Sequence, residues 1–218
     1  MDEAITRLTG HSIAEMECGI VRHDWVNDSY KHLIADAPAA ALLAKPGQFF
    51  HILCPSDSSD SPFLRRPMSV YRVDRANARI EFLYKVAGAG TRTLSVLQTG
   101  DALNVFGPLG QGFSPEGGTK HALIVARGVG LSTLAPLVEA VVADGIAATA
   151  ILSARSTAYV MSEDYLQGVG ARVRTVTDTE GTSDVDQVED MVRRLITDDG
   201  ADFIATCGSN RLLFMLQR

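Results

Sequence analysis

"LIVARGVGLSTLAPL", Leu123–Leu137, decides how half of this chain folds. An apolar run that begins at His121 feeds a glycine turn, and the turn feeds a segment with helical spacing. An unbroken apolar run marks a strand buried on both faces of a parallel sheet. Strand, glycine turn and helix in that order form the setting that a dinucleotide site requires. Gly128 and Gly130 would let a pyrophosphate approach the backbone, and Ser132 or Thr133 could donate to it. The full Gly-x-Gly-x-x-Gly spacing is absent. "GLSTL" lacks the second glycine of Gly-x-Ser-x-Gly, and no Gly-x-x-x-x-Gly-Lys loop exists.

Downstream, a helix expected over Leu134–Ala143 is followed by strand-like "IAATAILSA" (146–154) and helix-like "SEDYLQ" (162–167). Strand-like "ARVRTVTD" (171–178), helical "DVDQVEDMVRRLI" (184–196) and strand-like "ADFIATCG" (201–208) complete the series. In the 184–196 segment Val185, Val188, Met191, Val192 and Leu195 share one face, with acids early and Arg193-Arg194 late, as a helix dipole favours. This alternation predicts a doubly wound domain with a parallel sheet. "TCGSN" (Thr206–Asn210) ends the last strand, and ligands of such sheets sit at strand carboxyl ends. Cys207 would therefore face the same crevice as the "ARGVG" turn; taken alone, it reads as a small buried hydrophobe.

Upstream the period changes. "IAEMECGIVRH", "YKHLIAD", "GQFFHILC", "SVYRV", "RIEFLYKV" and "ALNVF" are short strands separated by Pro, Gly, Asn and Asp. Without long helices between them, they predict a six-stranded antiparallel barrel or sandwich. The change falls at "SPEGGTK" (Ser114–Lys120), which gives domains over 1–114 and 115–218. "PSDSSDSP" (Pro55–Pro62) is too polar to pack and reads as an exposed loop. In "FLRRPMSVYRVD" (Phe63–Asp74) the alternating strand Ser69–Val73 opens on two arginines and a proline, which cannot donate to a ladder. "VAGAGTRTLS" (Val86–Ser95) follows a strand, and Thr91 stands where a helix could start and be capped by its hydroxyl. The N–H groups there would form an anion pocket; the plainer reading is a turn that needs glycine for its backbone angles.

The totals exclude several classes. The 218 residues are 46% hydrophobic and 21% charged, an ordinary globular balance. A net charge of -6 argues against a broad grip on nucleic acid. No apolar run approaches the roughly 18 residues of a membrane helix, and the acidic "MDEAITRLTG" is no signal peptide, so the chain reads as cytoplasmic. Three scattered cysteines and five scattered histidines predict neither a disulfide framework nor a metal site.

In this order "PGQFF" (Pro46–Phe50), "RRPMS", "GAGT", "GPLGQGF", "GVGLSTLAPL" and "CGSN" resemble the ferredoxin–NADP reductase superfamily. Within it they are most similar to the electron-transfer subunits of NAD-dependent dihydroorotate dehydrogenases. The resemblance implies an FAD-binding barrel followed by an NAD(P)-binding domain. It implies that Arg66 pairs with the FAD pyrophosphate and that Ser69 reaches the isoalloxazine near N5, with Pro67 and Met68 between them in the same grip. Gly88, Gly90 and Thr91 would form a second phosphate grip. Gly128, Gly130 and Thr133 would hold the nicotinamide dinucleotide pyrophosphate, and Arg155 of "SARS" would read the adenosine ribose. Cys207 and Gly208 would lie beside the nicotinamide, which makes Ser69 and Cys207 the implied catalytic pair.

The implied chemistry is hydride transfer from NAD(P)H to flavin N5, then release of electrons to a dehydrogenase catalytic subunit or an iron–sulfur protein. Arg155 and Ser156 could bind a 2′-phosphate, but no second arginine follows nearby, which favours NAD. Three features depart from the pattern. Arg127 stands where relatives commonly carry glycine, and would either crowd the pyrophosphate or clamp it. "CGSN" replaces Cys-Gly-Pro. The cysteine cluster that binds a two-iron two-sulfur centre is missing, and is expected only if the chain continues beyond Arg218; the ending within helix-like "LLFMLQR" favours truncation. Two alternatives stay open: a free-standing NADPH-dependent ferredoxin or flavodoxin reductase, and a non-catalytic interaction module that kept the fold. Arg65 reads as a solvated or partner-facing charge.

Overall fold

The structure, a computed structural model, describes residues 13–56 and 60–217; the acidic N-terminal stretch with His11, residues 57–59 of the polar loop and Arg218 lie outside the described residues. The chain divides into two compact units, Met1–Gly112 and Phe113–Arg218. Among the described residues no helix is long and apolar enough to cross a membrane.

The first unit is an antiparallel sheet of β1 (Ala14–Trp25), β2 (Tyr30–Asp36), β3 (Phe49–Ile52), β4 (Arg66–Ser69), β5 (Arg72–Asp74), β6 (Arg79–Lys85) and β7 (Ala102–Leu109). Its order is β4-β3-β7-β1-β2-β6-β5. There are seven strands rather than the six expected, because "SVYRV" is not one strand. Val70 donates its N–H to the Gln48 carbonyl at 3.0 Å on the β3 side, and the next residue, Tyr71, donates to the Glu81 carbonyl at 2.9 Å on the β6 side. The chain thus steps from one edge of the sheet to the other within two residues and curls it into a half-barrel. "RPMS", which looked like an awkward opening, is itself the edge strand β4. An edge tolerates Pro67 because no further strand needs its missing N–H.

The interior of this sheet is filled by Phe50, Ile52, Ile80, Phe82, Leu103 and Val105, all buried. The helix α1 (Ala89–Ser95) adds Leu94, which is fully buried in the same core. Buried Lys31 and half-buried His23, both on strands, hold the end of the helix and the chain just after it. Lys31 Nζ donates to the Ser95 carbonyl at 2.7 Å, and His23 Nδ1 lies 2.8 Å from the Leu97 carbonyl. The "PGQFF" and "GPLGQGF" stretches meet here as well: Gln48 Nε2 donates to the Gly110 carbonyl at 2.9 Å. A Cβ on Gly107 would stand 2.5 Å from the Phe50 ring. These contacts tie the two stretches to each other and to the core.

The second unit is a parallel sheet in the order β10-β9-β8-β11. Its strands are β8 (His121–Arg127), β9 (Ala147–Ala154), β10 (Arg172–Thr177) and β11 (Phe203–Cys207), with helices α2 (Leu131–Ala143), α3 (Glu163–Gly168), α4 (Val185–Thr197) and α5 (Asn210–Leu216) between and after them. The first strand is central, with later strands on both sides, so the switch point of the sheet lies between the carboxyl ends of β8 and β11. Helix α2 starts at Leu131, three residues earlier than the spacing suggested, directly from a 3-10 turn over Gly128–Gly130, and carries Pro136 inside it.

The start of β8 is fixed electrostatically. The Asp202 carboxylate accepts the backbone N–H groups of Lys120 and His121 at 3.0 Å each, and these bonds hold its pKa below the ordinary 3.8. A depressed folded pKa means that the contribution is complete above the unfolded value and is lost as pH falls through the folded one. Asp202→Asn should therefore lower the urea midpoint at pH 7. The gap to wild type should narrow as the pH is lowered below 3.8; a gap of constant size down the acid limb would contradict the charge's role.

Candidate functional site

In the first unit two sequence motifs meet. Gly90 is buried at the second position of α1, and a Cβ there would stand 2.6 Å from Arg66 Nε and 2.8 Å from Arg66 Cγ. The glycine is required because the arginine side chain lies across it. Arg66 donates to the Leu64 carbonyl, and among the described residues no carboxylate pairs with it. Its neighbours differ. Arg65 pairs with Glu15 and donates to the His51 carbonyl, Arg72 pairs with Glu81, and Arg92 pairs with Asp60 through two bonds of 2.9 and 3.0 Å. Arg65 is thus a cross-strand tie, not a solvated charge, and Asp60 anchors the polar loop at its described end.

The helix begins at Ala89 with Gly88 as its N-cap, so Thr91 is its third residue and not its cap. The Thr91 hydroxyl accepts the N–H groups of Ala87 and Gly88 at 2.9 and 3.0 Å and lies 3.0 Å from the Gly88 carbonyl. That reach back holds the turn, so Thr91 shapes the pocket. The N–H groups of Ala89, Gly90 and Thr91 are those a helix start leaves without an intrahelical acceptor, and the dipole adds partial positive charge there. A Cβ on Gly88 would meet nothing within 4 Å, so the backbone is open to approach. A cation without a local acid, set on a glycine-bearing helix start, is a place for an anion.

Strand alternation divides the rest of "RPMS". Met68 is buried in the barrel core, so its side chain is packing and not part of a grip on a ligand. Pro67 is exposed and Ser69 half-buried on the opposite face of β4. Cys18 and Cys54 are also in the core, and burial pushes the Cys18 thiol up to about 11 and raises Cys54, against the lowering effect of the Arg66 charge.

In the second unit the "GVG" and "CG" turns touch through their backbones. A Cβ on Gly130 would stand 2.3 Å from the Cys207 carbonyl oxygen, and one on Gly208 would stand 2.1 Å from the Arg127 carbonyl oxygen. Gly208 also has φ +100, and Gly128 has φ +53. The space beside Gly130 is therefore filled by the neighbouring loop rather than left for a pyrophosphate. Cys207, paired in register with Ala126, is half-buried at the end of β11. Ser132 is buried and donates to the Val129 carbonyl at 2.8 Å, whereas Thr133 is half-buried on α2. Arg155 lies over the Tyr159 ring at 4.6 Å. Beside these turns a small open cavity is lined by Gly128, Leu131, Ser153 and Tyr159 among others.

Sequence reasoning missed the residues around Arg127. Its guanidinium donates to Ser153 Oγ and to Asp178 Oδ2, each at 2.6 Å. The available signal was positional: Ser153 and Asp178 fall at the carboxyl ends of β9 and β10, the edge where such sheets place ligands.

No family model matches the chain. It is 35% identical over 160 residues to the electron transfer subunit of dihydroorotate dehydrogenase B (NAD(+)) from Desulforamulus reducens, covering 73% of this chain and 60% of that protein. It is 31% identical over 203 residues to the corresponding subunit from Bacillus cereus strain Q1, covering 91% of this chain and 75% of that one. The chain belongs to this family of electron-transfer subunits. It spans less than two thirds of the length of the Desulforamulus member. The family fold extends to solved structures: an NADH-dependent reduced ferredoxin–NADP oxidoreductase superposes with a TM-score of 0.68 at 24% identity, over 81% of this chain and 63% of that one. The ferredoxin reductase of carbazole 1,9a-dioxygenase superposes with 0.74 at 19%, over 94% and 66%. The ferredoxin–NADP+ reductase of Plasmodium falciparum superposes with 0.73 at 12%, over 93% and 88%. The sequence motifs had pointed to the same family and to the same pairing of an antiparallel with a parallel sheet.

Proposed function

We propose that this chain is a cytoplasmic, flavin-dependent electron-transfer module, with FAD held by the first unit and a nicotinamide dinucleotide by the second. The observation that carries the reading is Arg66 lying across Gly90 at the start of α1, without a carboxylate among the described residues. When bound, the two cofactors supply hydride transfer from NAD(P)H to the flavin and onward release of electrons. The chain's own residues bind and orient. Arg66 and the N–H groups at the start of α1 take a pyrophosphate, with Gly88, Gly90 and Thr91 shaping the turn. Pro67 fixes the backbone between Arg66 and Ser69, and the Ser69 hydroxyl is assigned to the reactive edge of the flavin. Thr133 and the Gly128 end of the turn are assigned to the second pyrophosphate, with Gly130 giving the two loops room to pack, while Cys207 and Gly208 border the nicotinamide.

NADH is the favoured donor. Arg155 is stacked on Tyr159, and no second arginine follows it nearby to share a 2′-phosphate. The cysteines do not fit an iron–sulfur cluster, since two are buried in the barrel core and the third ends β11. The electrons are assigned to a protein partner, and the names of the relatives make a dihydroorotate dehydrogenase catalytic subunit the first candidate. Protein reconstituted with FAD should turn yellow and bleach anaerobically far faster with NADH than with NADPH. A colourless protein that takes up no FAD would sink the flavin assignment, and equal rates with both donors would sink the preference for NADH.

A further inference from the structure

The proposed function gives Arg127 no task, although it is a cation at the crevice end of β8. Its two bonds, to Ser153 on β9 and to Asp178 just beyond β10, carry one side chain across the carboxyl ends of three adjacent strands. Asp178 is fixed from its other side. The Ser183 hydroxyl donates to its second carboxylate oxygen, and its own N–H donates to the Ala154 carbonyl at 3.1 Å. The bonds from Arg127 and Ser183 hold the Asp178 carboxyl below the usual range, so it remains an anion at neutral pH. Ser153 both receives the arginine and lines the open cavity beside Gly128 and Tyr159. A guanidinium has five N–H donors, and these two bonds use one on each terminal nitrogen.

We propose that Arg127 is the residue with which the second unit reads the phosphates of its ligand, and that Asp178 is a built-in competitor holding it until a diphosphate arrives. The proposal rests on reading this unit as a dinucleotide domain. A carboxylate brings one charge to the guanidinium, whereas a diphosphate brings more charge and matches the same fork geometry. A diphosphate can therefore take over or share the arginine, and a ligand without one gains nothing in exchange for the disturbed pair. Selectivity then comes from the difference between the two partners. Arg127 clamps rather than crowds, and its clamp is preloaded.

The whole chain is titrated calorimetrically with ADP and with adenosine as wild type, Asp178→Asn, Arg127→Gln and the double variant. Asp178→Asn should bind ADP about tenfold more tightly, Arg127→Gln about tenfold more weakly, and neither should change adenosine binding. The double variant should match Arg127→Gln, because a competitor without its cation has nothing to hold. A gain from Asp178→Asn that persists in the double variant would overturn the proposal, since the carboxylate would then only repel phosphate through space. Equal ADP affinity in all four would overturn it while leaving the dinucleotide reading intact. Absence of both ADP and NADH binding in the wild type would end both. Ser183→Ala loosens the same loop without changing charge and should bind ADP as wild type does; a gain equal to that of Asp178→Asn would assign the effect to loosening and reject the competitor.

Discussion

Arg66→Ala is expected to weaken FAD binding by about ten- to a hundredfold, the range spanned by a lost hydrogen bond to a charged group. The expectation rests on contrast with its neighbours. Arg65, Arg72 and Arg92 each have a carboxylate on the protein, whereas Arg66 has none among the described residues and lies on the opening turn of α1. Arg65→Ala breaks a partly exposed pair with Glu15, of a kind worth about 0–1 kcal/mol, and should leave FAD binding unchanged. Gly90→Ala probes the same seat from below. The new methyl would press on the arginine side chain rather than on backbone, so the fold should survive while the guanidinium is displaced and FAD binding falls. Titrating apoprotein with FAD and following flavin fluorescence reads all three variants. Retention of FAD by Arg66→Ala at wild-type affinity would remove the observation on which the flavin site rests.

Gly208→Ala should be the most damaging small substitution in the second unit, costing about 2–5 kcal/mol as overpacking and left-handed backbone strain add together. The added Cβ would lie 2.1 Å from the Arg127 carbonyl oxygen, and backbone cannot swing aside as a side chain can. Its φ of +100 adds conformational cost for any L-residue. Gly130→Ala meets the Cys207 carbonyl at 2.3 Å, but its φ of -57 suits alanine, so only the steric part applies and the loss should be smaller. Gly117→Ala, with nothing within 4 Å, should be neutral or slightly stabilising. Urea unfolding followed by far-ultraviolet circular dichroism should rank the three in that order. A Gly208→Ala protein as stable as wild type would show that the two turns do not pack backbone to backbone.

These two sites differ in how far the sequence disclosed them. "YKHLIAD" is a strand over the same residues in sequence and structure, because its alternation and its bounding turn residues are local properties. The parallel domain was legible for the same reason: apolar run, glycine turn and helix follow one another along the chain. "RPMS" was misread, since two arginines and a proline oppose a strand locally, and the objection lapses only at a sheet edge. That edge exists because Val70 and Tyr71 bond to opposite sides of the sheet, which no residue pattern announces.

The sequence by itself determined the periods, the turns and the order of motifs, and with them the two kinds of sheet and the family. The tertiary structure alone decided which motifs touch. It set Arg66 on Gly90, filled the space of Gly130 with the Cys207 carbonyl, moved Met68 into the core and gave Arg127 a partner 51 residues away in Asp178. Hydrophobic period and turn chemistry act over a few neighbouring residues and survive in any window of the chain. Contacts between distant segments depend on register and curl, which are fixed only when the sheets have formed.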